Sequence, residues 1–124
     1  MGIRTKIINK FMKVTLNISE RIFALGILNG FKGKMETMVT ILKDIQGVSL
    51  TPEDRTKCEW KEQKNSEGVL QSVTWNDEKD SGKELEFQSP TLDYILETIE
   101  DRNKKGDFSF QDKAVISLKE KLTK

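Results

Sequence analysis

A chain of 124 residues with 21 Lys and Arg against 20 Asp and Glu suits one domain that buries a core without disulfide or metal staples. The balanced charge removes any overall attraction to polyanions, and a charged fraction of 33%, set among apolar residues at regular spacing, points to a folded domain with a polar surface. With no histidine and the single cysteine Cys58, the chain lacks the usual proton shuttle near neutral pH and cannot form an intrachain disulfide or a thiolate metal cluster, so a reducing compartment, no cofactor and no enzymatic activity are expected.

Residues 1–12 read as a basic arm: Arg4, Lys6 and Lys10, with Lys13 just beyond, are separated by Ile3, Ile7, Ile8 and Phe11 and accompanied by no acid. Such an arm either touches phosphate or an acidic partner, or is a loose extension ahead of an initiator at Met12. It has no apolar signal core, and no stretch approaches the roughly 18 apolar residues of a membrane span, so a cytoplasmic protein with no membrane partner is expected. Residues 13–124 form the expected single domain.

Val14, Leu16 and Ile18 alternate with polar neighbours as a strand, after which Ser19 is placed to cap a helix through Ile22, Phe23, Leu25 and Leu28. Asn29 to Lys34 is a turn. It lacks the glycine spacing and the hydroxyl of a phosphate loop, which leaves Lys32 and Lys34 as solvated residues or partner contacts. Met38, Ile41, Leu42 and Ile45 predict a second helix, with Thr37 as cap, Gly47 as terminator and the methionines as core filler. Thr51-Pro52 opens a third, expected to run as a polar surface helix to Lys64 with Cys58 and Trp60 on its half-buried side.

Val69, Val73 and Trp75 share the parity of a strand, and the acids Asp77, Glu78 and Asp80 fall in a charged loop that lacks the calcium-loop pattern. Leu85 and Phe87 alternate with Glu84, Glu86 and Gln88 in the next strand, and adjacency in sequence predicts that these two strands pair as a hairpin. Ser89 and Pro90 then start a helix whose Leu92, Ile95, Leu96 and Ile99 make one apolar stripe. Phe108 and Phe110 precede a closing helix with Val115, Leu118 and Leu122 inward.

Residues 13–45 and 83–122 share an order of strand, serine, helix, Gly/Lys turn and helix. The expected fold is therefore α+β: a small antiparallel or mixed sheet of about three strands packed with four to five helices, arranged as two β-α-α units.

The run TLNISERIFALGILNGFKGKMETMVTILKDI, followed by SLTPEDRTKCEW, VTWND, KELEFQSPTLDYILETI and FSFQDKAVISLKEKL, resembles small uncharacterised proteins of phage and prophage genomes. The resemblance implies a mobile-element protein in a bacterial cytoplasm and carries no catalytic residues. Together with the missing catalytic motifs it leads to one expectation, a non-enzymatic interaction or regulatory module, homo-oligomeric or bound to a host or phage protein, that modulates a host protein or defence system. The alternative is a nucleic-acid-binding accessory protein using Arg4, Lys6, Lys10, Lys13, Lys32 and Lys34, whose binding would weaken with added salt.

Overall fold

The computed structural model describes residues 11–123. In chain order it contains β1 (Phe11–Leu16), α1 (Ile18–Leu28), α2 (Met35–Val48), α3 (Pro52–Lys57), β2 (Lys61–Lys64), β3 (Leu70–Thr74), β4 (Lys83–Gln88), α4 (Ser89–Lys104) and α5 (Ala114–Leu122). Short 3-10 turns at Asp77–Lys79 and Phe110–Asp112 complete it. The α+β class is as expected.

The strand pairing is not. β1 pairs antiparallel with β4, Phe11 opposite Gln88 and Leu16 opposite Lys83, and β2 pairs with β3, so two two-stranded sheets replace one sheet of about three strands. Strand periodicity supplies the reason. Met12, Val14, Leu85 and Phe87 fall on one face of the β1–β4 ribbon, where Leu85 and Phe87 are buried, whereas Lys13, Thr15, Glu84 and Glu86 fall on the open face. β4 needs an apolar partner to complete that inner face, and β1 offers one. The β3 segment carries only Val73 as a half-buried apolar residue and pairs instead with the polar run Lys61–Lys64.

That run is a strand, not the continuation of a helix. α3 starts as expected, with Thr51 accepting from the Asp54 amide at 3.0 Å and Asp54 accepting from the Thr51 amide at 3.0 Å, but it stops at Lys57. Glu59 then takes a φ of 60°, which ends helical hydrogen bonding, and the Asn76 amide donates to the Cys58 carbonyl at 2.8 Å, binding the base of the β2–β3 hairpin to the end of α3.

Two helix caps also differ. α1 is capped by Asn17, which accepts from the Glu20 amide at 2.9 Å while Glu20 Oε1 accepts from the Asn17 amide at 2.9 Å; Ser19 lies inside the first turn. α2 begins at Met35 without a side-chain cap, Thr37 sits within it, and it runs through Gly47 to Val48.

A single apolar cluster joins Leu16, Ala24, Ile27 and Leu28 to Ile41, Val48, Leu85, Phe87, Ile95, Ile99, Val115, Leu118 and Leu122. The two β-α-α runs interlock in making it: α2 packs on β4, the strand of the other run, and α5 packs on β1. Buried polar groups tie the layers. Arg21 donates to the Val48 carbonyl (3.0 Å), the Ser49 carbonyl (2.8 Å) and Asp54 Oδ2 (2.9 Å), joining α1 to the end of α2 and the start of α3. Lys121 of α5 donates to Glu20 Oε1 (2.7 Å) and to the Thr15 carbonyl (3.0 Å), joining α5 to β1 and α1.

Candidate interaction surface

α2 is apolar over about half of its circumference, and the core takes only part of that arc. Ile41, Asp44 and Val48 are buried, whereas Met35 is 71% exposed, Met38 43%, Val39 47% and Leu42 51%. The last four stand at i, i+3, i+4 and i+7, a continuous stripe along one side of the helix. The methionines of this helix are therefore not the core filler expected of them, and Leu42 of the predicted stripe lies outside the core as well. One carboxylate helps set the rotation of the helix: Asp44 Oδ2 accepts from the Gln88 amide at 3.0 Å, where β4 passes into α4. Bringing Asp44 onto that amide turns the methionine stripe toward solvent.

The margin of the stripe is charged. Lys32 and Lys34 are exposed in the approach to α2, and Glu36 and Lys43, also exposed, lie two turns apart on the same side of the helix. Among the described residues neither Glu36 nor Lys43 has an ion-pair partner. Lys13, the remaining basic residue expected at a site, is on the open face of β1 directly opposite Glu86, with Thr15 opposite Glu84. That face carries both signs of charge. Lys13 and the Lys32–Lys34 pair thus belong to different elements, and Arg4, Lys6 and Lys10 lie outside the described residues.

Other surfaces also carry exposed apolar side chains. The β2–β3 hairpin is exposed over nearly its whole length, with Val69 and Leu70 at its tip. At its base Trp60 and Trp75 stack, ring centres 5.7 Å apart and planes within 9°, and the Arg55 guanidinium lies 5.2 Å from the Trp60 ring. An open groove of about 700 Å³ runs between α1 and α4 past Phe23, Tyr94 and Arg102. Arg102 is already engaged there, 4.7 Å from the Phe108 ring centre and 3.6 Å from Asp112. A second groove, of about 470 Å³, lies between α4 and α5, bordered by Ile116 and by Phe110, which is 94% exposed.

The acids and the cysteine have structural surroundings. Asp80 is not a solvated loop residue: its Oδ2 accepts from the Ile18 amide, the first of α1, at 2.8 Å, and Asp77 accepts from Trp75 Nε1 at 2.8 Å. Glu84 and Glu86 are exposed on the open sheet face. Cys58 is fully buried rather than half-buried; burial pushes its thiol above the usual cysteine range, and nearby Asp80 and Asp54 add to the effect, which disfavours a nucleophilic thiolate. Burial pushes the Glu20 carboxyl up, but hydrogen bonds from Lys121 and the Asn17 amide, with the Ser117 hydroxyl nearby, together outweigh it and leave the group below the ordinary range. Asp54 behaves likewise: burial raises it, while the Thr51 amide and Arg21 bring it down to about 2. Among the described residues no three metal-binding side chains converge, and no helix is long and apolar enough to cross a membrane.

No known protein family, curated protein or solved structure matches the chain.

Proposed function

We propose that this protein is a non-enzymatic interaction module that works by holding another protein chain against the exposed face of α2. The observation that carries the reading is the stripe Met35, Met38, Val39 and Leu42, four large apolar side chains in register on a helix whose other side is anchored in the core. Helix faces of this spacing are read by complementary grooves and helices, and methionine suits such contacts because its unbranched thioether adapts to the opposing surface. The exposed apolar area of the four is on the order of 400 Å², within the size range of functional patches on monomers. At about 25 cal/mol per Å², covering it contributes about 10 kcal/mol before the costs of association. That supports a moderate, reversible contact.

In the setting implied by the resemblance to phage proteins, such a module acts on a host protein, either directly or after assembling with itself. The test is to place a photo-crosslinking amino acid at Met35 and, separately, at exposed Glu100 on α4, and to compare the wild-type background with Leu42→Glu. Adducts with a protein chain at position 35 that are lost in the Leu42→Glu background, with circular dichroism unchanged, support the reading. Equal labelling at both positions, or adducts indifferent to the charge at 42, would overturn it.

A further inference from the structure

We infer that the chain covering this face is a second copy of the same protein, docked by antiparallel pairing of α2 with its two-fold mate. The inference rests on the reading of α2 as a protein contact and names its occupant. An isologous contact requires that the surface be complementary to itself after a half-turn. The α2 stripe meets that requirement in shape: Met35 and Leu42 stand equally far on either side of the midpoint between Met38 and Val39, so Met35 of one copy opposes Leu42 of the other and the central pair meets itself.

The stripe meets the requirement in charge as well. Glu36 and Lys43 lie on one margin of the stripe, seven residues apart, centred within one residue of the same midpoint and without ion-pair partners among the described residues. In a parallel pairing this margin of one copy would lie on the opposite rim from the same margin of the other, so neither charge would find its counterpart. In the antiparallel pairing Glu36 of each copy comes beside Lys43 of the other, making two symmetric opposite-charge contacts at the rim. Such contacts select orientation more than they add affinity. The four apolar side chains of two copies supply on the order of 800 Å² of buried surface, below the usual size of a stable interface. The dimer is therefore a weak, concentration-dependent one, not an obligate one.

The experiment is sedimentation velocity on the full chain from about 1 to 500 μM, for the wild type, Leu42→Glu, Glu36→Lys, Lys43→Glu and the double variant Glu36→Lys/Lys43→Glu, with thermal melts to confirm folding. The expected result is a reversible monomer–dimer equilibrium that Leu42→Glu weakens by about 100-fold or more and each single charge reversal by about 5- to 10-fold, with the double reversal restoring it. The last step separates antiparallel self-pairing from general stickiness of the patch. A dimer unaffected by Leu42→Glu overturns the inference, as does a double reversal no better than the two singles. A monomer throughout the range also overturns it, whether the stripe is open or is covered by the chain's own residues 1–10. In that case the broader reading still stands if Met35 crosslinks to a different protein and Leu42→Glu abolishes the adduct, so the two failures are distinguishable.

Discussion

Replacing Lys121 by Met isolates a single electrostatic step in the fold. Glu20 is completely buried, and its Oε1 is shared between the Asn17 amide of the α1 capping box and the Lys121 ammonium at 2.7 Å. Its other oxygen, Oε2, has no hydrogen-bond partner of good geometry among the described residues; the Ser117 hydroxyl is near enough to favour the charged carboxylate but donates to the Ala114 carbonyl. Methionine keeps most of the lysine's apolar stem and removes the charge together with its hydrogen bonds to Glu20 and to the Thr15 carbonyl. What remains is a desolvated carboxylate held by one amide, and the loss of one partner from such a pair costs about 3–5 kcal/mol. Urea unfolding at pH 7 should show that loss with an unchanged slope. Glu20→Gln keeps the capping acceptor, so the double variant Glu20→Gln/Lys121→Met should recover at least half of it.

The pH dependence follows in sign. The folded carboxyl lies below its ordinary value of 4.5, so its contribution is present above that value and is lost as pH falls through the folded one. In Lys121→Met the carboxyl loses the hydrogen bond and the charge that held it down. The gap between variant and wild type should therefore narrow in acid. A cost under about 1 kcal/mol at pH 7, or a gap independent of pH, would refute the account of Glu20 as a charged group dependent on Lys121.

Asp54 supplies an acid-labile increment of its own: with its folded value at about 2 against an ordinary 3.8, its stabilisation of about 2 kcal/mol is complete above that range and disappears as pH falls through about 2, and Asp54→Asn should remove it from an acid-denaturation curve. Thr91 is fully buried with its hydroxyl unpartnered among the described residues, so Thr91→Val should raise stability by up to about 1 kcal/mol in the same urea assay. Cys58, buried and with its thiol pushed up, should react with iodoacetamide far more slowly in the folded protein than in urea. Gly82 holds a φ of 81°, and a Cβ there would meet Thr15 Cγ2 at 2.8 Å, so Gly82→Ala should cost about 1–3 kcal/mol and lower the melting temperature.

Much of this fold was legible in the sequence where period and burial coincide. Leu85 and Phe87 on β4, Ile95 and Ile99 on α4, and Val115, Leu118 and Leu122 on α5 all point inward as their spacing predicts. The repeated order of strand, helix and helix was legible too, because each element carries its own local signal. Partner choice between strands was not. β4 passes over its neighbour in sequence for β1, some seventy residues away, and that choice depends on which segment completes an apolar face. Nor did Lys61–Lys64 announce a strand: four polar residues have no period, and only the cross-strand hydrogen bonds of the hairpin define them. The α1 cap, by contrast, was available. Asn17 and Glu20 have the spacing of a capping box, with Ser19 between them as a competing cap by residue type alone.

The exposed face of α2 shows why a surface of this kind escapes a reading of periodicity. Met38, Ile41, Leu42 and Ile45 satisfy the helical period, but the period says only that apolar residues share an arc, not which part of the arc the core will take. Two neighbours decide that. Arg21 holds the carbonyls at the end of the helix, and Asp44 engages the Gln88 amide at the head of α4, so the rotation of α2 depends on polar contacts whose partners lie far away in sequence. Once the rotation is set, Ile41 and Val48 are inside and Met35, Val39 and Leu42 are outside. Rotating the helix to bury the stripe would strip the Gln88 amide of its acceptor and carry Ile41 toward water. The fold therefore leaves this face exposed, with Glu36 and Lys43 along one margin of it.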